Sequence, residues 1–147
     1  MRCRWGLHRE RGSISIEAVF AIGFLLIPAA ALMAQLPGWI GTTQAAQAAA
    51  FEAARQVVLA DTMDEGLAAA SSVASEVIAN HGMDVADLLA VDVAADPPGG
   101  LQRGQDVTVT VTVRGQPILV PGLGEVGNPF DAVASATERV DDYRSFG

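Results

Sequence analysis

The stretch "RGSISIEAVFAIGFLLIPAAALMA", residues 11–34, carries no charge from Ala18 to Ala34, yet it holds a carboxylate, Glu17, at its mouth. Its 17 uncharged residues, at roughly 1.5 Å each along a helix, reach the low end of a bilayer span. The apolar character continues weakly through Ile40, and Trp39 suits a membrane interface. The segment before it is basic: residues 1–12 carry Arg2, Arg4, Arg9 and Arg11 against Glu10, a net +3. That bias holds the N-terminus in the cytoplasm and sends the rest of the chain outward. A plain anchor has no need of Glu17, and a secretory signal peptide ordinarily lacks such an acid.

Two readings of this segment compete. Ala29, Ala30, Ala31 and Ala34 offer the small residues of a signal-peptidase site. Against that, no charge interrupts the pattern until Glu52, and "TTQAAQAAAFEAARQVVLA", residues 42–60, is dense in helix formers and free of Pro and Gly. This continuity predicts one helix over 13–60. Pro28 should bend it, because a proline removes a helical hydrogen bond, and Pro37-Gly38 is a second weak point where an interruption could fall.

Glu17 is the fifth residue counted from Ser13, and Gly12 precedes Ser13. If the chain is cut between Gly12 and Ser13, the new ammonium and the Glu17 carboxylate stand one helical turn apart on the same face. Glu17 also lies near the positive end of the helix dipole. The plainer alternative is a carboxylate that only reaches back to the headgroups. A short basic leader, a Gly, a cut, a Glu at position five and a long apolar helix is the pattern of prepilins. The N-terminus resembles that of the TadE-like pseudopilins, minor pilins of tight-adherence (Tad, Flp-type) type IV pilus systems. The resemblance is carried by "RGSISIEAVFAIGFLLIP" at 11–28 and, more loosely, by "AAQAAAFEAARQVV" at 45–58 and "ASATERVDDYR" at 134–144. After the Glu the family often has Phe or Tyr; here Ala18 follows, with Phe20 nearby.

The resemblance implies processing at Gly12 and Ser13 by a prepilin peptidase. It implies an assembly role for Glu17, whose carboxylate meets the ammonium of a neighbouring subunit. The implied partners are the major pilin, other pseudopilins and the inner-membrane assembly platform; no enzyme activity or cofactor is implied. The expected function is a membrane-inserted minor pilin-like subunit or assembly factor, single-pass, with its C-terminal domain extracytoplasmic. The alternatives are a secreted binding module released by signal peptidase and an uncleaved single-pass membrane protein.

The 147 residues allow one modest domain plus an appendage. Every basic residue is Arg, and residues 18–147 carry five of them against 15 acids, a net −10. That field repels phosphates, so a nucleic-acid partner is not expected. Cys3 is the only cysteine, which excludes an intramolecular disulfide.

Beyond the long helix, Thr62 and Glu65 form a T-x-x-E capping box opening a second helix over about 63–80. Leu67, Ala70, Ala74, Val77 and Ile78 share its apolar face, and Asn80-His81-Gly82 closes it. "DLLAVDV", 87–93, reads as a strand, and "DPPGGLQRGQ", 96–105, as a loop. In "DVTVTVTVRG" the valines at 107, 109, 111 and 113 point one way and the threonines the other. "QPILVPGLGEVGNPF", 116–130, reads as a long loop, and 131–143 as a strand, with a helix as the alternative. The fold expected is α+β and pilin-like: a transmembrane or spine helix (13–60) after a basic leader (1–12), then a small head (61–147). The head would hold a second helix and an antiparallel sheet of about three strands, its valine face packed on the helices.

No chemistry rises from the remaining residues. Gly122 to Gly127 spell G-x-G-x-x-G, but Pro121 and Pro129 flank them, and no βαβ unit surrounds them. A loop is the expectation there. His8 and His81 have no His/Cys cluster around them, no catalytic triad is suggested, and Asp64-Glu65 and Asp141-Asp142 read as solvated charge. Two ridges of small residues, Ala30/Ala34/Gly38 and Ala45/Ala49/Ala53, are spaced for close helix approach; assembly surface and chance in an Ala-rich chain both account for them.

Overall fold

The computed structural model describes residues 13–120, 122–128 and 130–145. Helix α1 runs from Ser13 to Leu59 without a break. Its 47 residues span roughly 70 Å at the standard rise. Pro28 and Pro37 both lie inside it, so the one helix expected over 13–60 is present and the weak point at Pro37-Gly38 does not interrupt it. Just beyond that point the hydroxyls of Thr42 and Thr43 donate to Gly38 O and Trp39 O, both at 3.0 Å.

Helix α2 spans Met63–Asn80. Thr62 caps it, its hydroxyl accepting from Glu65 N at 3.2 Å. The reciprocal arm reaches one residue further than the usual box: Glu65 Oε2 accepts from Asp61 N at 3.4 Å. At the other end Gly82 takes φ +76, Gly82 N donates to Ala79 O at 2.9 Å and Met83 N to Ile78 O at 3.3 Å. That pair of bonds is a Schellman closure. His81 adds to it, Nδ1 donating to Val77 O at 2.9 Å.

Five strands follow: β1 (Leu88–Asp96), β2 (Asp106–Val113), β3 (Ile118–Val120), β4 (Gly124–Val126) and β5 (Ala132–Arg139). β1, β2 and β5 form an antiparallel sheet with β2 in the middle. Residues 132–139 are therefore strand. The segment 116–130 is not simply a loop, because β3 and β4 pair as a separate hairpin. Its glycines explain why: Gly122 and Gly124 take φ of +86 and +81, the left-handed conformation that a tight turn needs and other residues resist. The G-x-G-x-x-G spelling is thus turn and hairpin chemistry, with strand β4 lying inside it where a dinucleotide site would open a helix.

The core lies between the sheet and the helices. Val107, Val109, Val111 and Val113 are fully buried, as are Ala45, Ala46, Ala49, Ala50, Ala53, Ala54 and Val57 of α1. Ala70, Ala74 and Ile78 of α2 join them in one cluster. α1 packs on α2, β2 and β5, and α2 also touches β1. The ridge Ala45/Ala49/Ala53 is therefore internal packing rather than an assembly surface. Small side chains let the helices and the sheet approach closely, at the expense of large buried groups. Gly66 continues this logic: a Cβ there would meet Val57 Cγ1 at 3.0 Å. Gly66 thus takes the buried position that the apolar-face reading gave to Leu67, which is 41% exposed.

The outer face of the sheet is polar. Thr108 and Thr137 share a hydroxyl bond at 2.8 Å, and Thr110 and Ser135 one at 2.9 Å. The C-terminal tail then returns to α1. The Arg144 guanidinium donates to Val58 O and Leu59 O, and to Asp61 Oδ1 at 3.2 Å. A cation on the last carbonyls of a helix matches both their orphan acceptors and the helix dipole. Arg144→Ala is expected to cost the head about 1.5–3 kcal/mol, the range for hydrogen bonds to charged groups. Chemical denaturation of the detergent-solubilised chain, followed by amide exchange in the sheet, measures it; a midpoint equal to wild type would contradict the role.

Candidate functional site

The two halves of α1 meet different surroundings. From Thr42 onward one face of the helix is sealed by the head. Before it, large apolar side chains stand uncovered: Phe24 is 86% exposed, Phe20 75% and Leu25 71%, and Ile16, Val19, Ile22, Leu26, Ile27, Leu32, Met33, Leu36 and Ile40 are exposed with them. None of the most apolar 18-residue window of this helix is buried. It is one helix long and apolar enough to cross a membrane.

A magnitude decides how this segment can exist. Each such side chain gains about 1.5–3 kcal/mol on leaving water, so the group forgoes on the order of 10–30 kcal/mol when solvated. The whole stability of a domain is about 5–15 kcal/mol. A chain with this surface needs a lipid or protein cover.

Glu17 is exposed on α1. Ser13 lies in the same helix one turn earlier, so the helical spacing expected for the pair is present. Gly12 and the basic leader lie outside the described residues. Ala30 and Ala34 of the first small-residue ridge face outward, and Gly38 is half-buried. A Cβ on Gly38 would collide with the Gln116 side chain, so this glycine admits the segment leading into β3.

Gln35 is the residue that the sequence reading missed. Its Oε1 accepts from Leu119 N at 2.7 Å, and its Nε2 donates to Leu119 O at 3.2 Å and to Ala31 O at 3.0 Å. One amide side chain thereby takes both backbone groups of the middle residue of β3 and holds the hairpin against α1. The one available signal was an uncharged amide at the end of an apolar run, where a polar group needs a reason.

Several open clefts mark the surface of the described residues. The one beside Trp39, Thr42, Gly115 and Phe130 holds about 130 Å³. Its ionisable residue, Asp131, is occupied: Oδ1 accepts from Asn128 Nδ2 at 3.1 Å and from Gly115 N at 3.4 Å. Among the described residues no three His, Cys, Asp or Glu side chains are grouped to hold a metal ion.

No family model matches this chain, and comparison with curated proteins and with solved structures finds no similar protein. The functional reading therefore stands on the residues and their arrangement.

Proposed function

We propose that this chain is a membrane-inserted, prepilin-like subunit, a minor component or assembly factor of a Tad-type pilus, without enzymatic activity of its own. The observation that carries the reading is the division of α1: an uncovered apolar half that bears Glu17, continuous with a half that anchors an α+β head. Subunits of this design use the uncovered half twice. Lipid covers it before assembly, and neighbouring helices cover it afterwards. The resemblance over residues 11–28 adds processing between Gly12 and Ser13 by a prepilin peptidase, with the major pilin, other pseudopilins and the inner-membrane platform as partners. The N-terminus is cytoplasmic and the head extracytoplasmic.

Glu17 gives the design its directionality. Inside a bilayer a lone carboxylate is unfavourable, and an ammonium on a neighbouring subunit offsets that. Monomers would then leave the membrane more readily as pairs and filaments form.

N-terminal mass spectrometry of the mature chain tests the proposal. A chain beginning at Ser13 is expected. A start near Gln35 would instead favour a secreted binding module, and it would require a cut in the middle of an unbroken helix. An uncut chain would favour a plain single-pass membrane protein.

A further inference from the structure

We infer that the β3–β4 hairpin is a second membrane-contacting element, which lies along the flank of α1 with its turn inserted into the outer leaflet. The inference rests on the reading of the first half of α1 as membrane-spanning.

The placement of the hairpin carries it. The chain enters at Gln116, whose side chain abuts Gly38. It passes Leu119, held by Gln35, and Ile118–Val120 border Pro28, Ala31 and Leu32. The segment 116–120, which includes β3, thus runs down α1 towards its N-terminus, from beside Gly38 to beside Pro28, about 13 Å for four extended steps. Trp39 marks the level where an indole prefers to sit, at the headgroups. The turn then falls within the outer apolar half of a bilayer, about 15 Å thick.

The hairpin has the composition for that depth. Residues 116–130 hold a single charge, Glu125, and no Arg or Lys. Leu123 at the turn is 78% exposed, and Leu119 and Val126 are more than half exposed. These side chains continue the uncovered apolar surface of α1, so the same solvent meets both.

Backbone polarity is the usual objection to a two-stranded ribbon in lipid, because an open edge strands its N–H and C=O groups. Here the edge of β3 is closed. Ile118 N donates to Gly127 O and Leu123 N to Val120 O, and the outward peptide groups of Leu119 go to Gln35. The open edge belongs to Glu125. It pairs with Leu119, close to the level of Gln35 and one helical turn below Trp39, where headgroup water still reaches.

The test uses the full chain in vesicles of phosphatidylcholine and phosphatidylglycerol, with Cys3→Ser to leave one thiol at a time. Leu123→Cys, Phe24→Cys and Thr110→Cys each receive an environment-sensitive fluorophore, and brominated lipids serve as quenchers. Loss of most emission at 24 and 123, with none at 110, is expected. Quenching at 24 but not at 123 overturns the insertion of the hairpin and leaves the span intact. No quenching at 24 overturns the spanning reading, and this inference with it. Shielding of position 123 that grows with protein-to-lipid ratio, without lipid quenching, overturns it in favour of a second copy of the chain.

Discussion

Val109→Asp is expected to unfold the head while leaving α1 helical. Val109 is fully buried in the central strand of the sheet. Its cross-strand neighbours are Val93 and Ala136, and α1 packs over β2. A carboxylate placed there loses its hydration among apolar side chains. An unpaired buried charge costs roughly 3–5 kcal/mol, a large share of the about 5–15 kcal/mol that holds a domain together. A small head built on alanine and valine has little reserve. Thr110→Ala, one residue further, is the control. It removes the hydroxyl bond to Ser135 on the outer face and is expected to cost less than about 1.5 kcal/mol, the usual net value of such a bond. Amide exchange in β2 and β5 separates the two variants, with circular dichroism reporting the α1 helix. Equal protection in both variants would mean that the valine face is not the core.

The contrast between these adjacent residues also shows why so much of the head was legible. Alternation with period two has one consequence, a strand with a wet face and a dry face, and β2 obeys it. The T-x-x-E cap and the Asn-His-Gly close of α2 are local chemistry, readable because their partners lie within a few residues. What stayed hidden depends on distant partners. Whether Gly66 or Leu67 faces inward is decided by Val57 on the other helix. Whether 118–126 folds as a hairpin is decided partly by Gln35, 84 residues before Leu119. Alanines four apart carry no mark telling an internal interface from an external one, and Ala45, Ala49 and Ala53 went inward because the valine sheet and α2 cover them. At the candidate site the helical spacing of Ser13 and Glu17 follows from their separation alone. The continuity of α1 past Pro37 was legible in the run of helix formers that follows it, although a proline is by itself a local breaker.

Glu17→Gln is expected to abolish most incorporation into assembled pilus complexes while leaving cleavage and membrane insertion near wild-type levels. Glutamine keeps the size and polarity of the side chain and removes the charge. Glu17 is exposed on α1, one turn after Ser13, so nothing in the head depends on it. An unpaired charge at the bilayer centre costs roughly 2.5–3.5 kcal/mol on insertion scales, and Glu17, nearer the interface, should cost less. The substitution lowers that cost, so the monomer inserts at least as well as wild type. A loss of assembly then has no origin in poor insertion and points to the missing attraction for a neighbour's Ser13 ammonium. Two charges in a weakly polar setting attract strongly enough to matter: at an effective dielectric constant of about 20, contact at about 4 Å is worth about 4 kcal/mol before desolvation. A purely interfacial carboxylate predicts the opposite pattern, because glutamine serves equally well at the headgroups. Mature subunit is quantified in membranes and in purified complexes, for wild type and variant side by side. Unchanged co-purification with pilus components would sink the pairing, while a Ser13 N-terminus in the same samples would leave the processing reading standing.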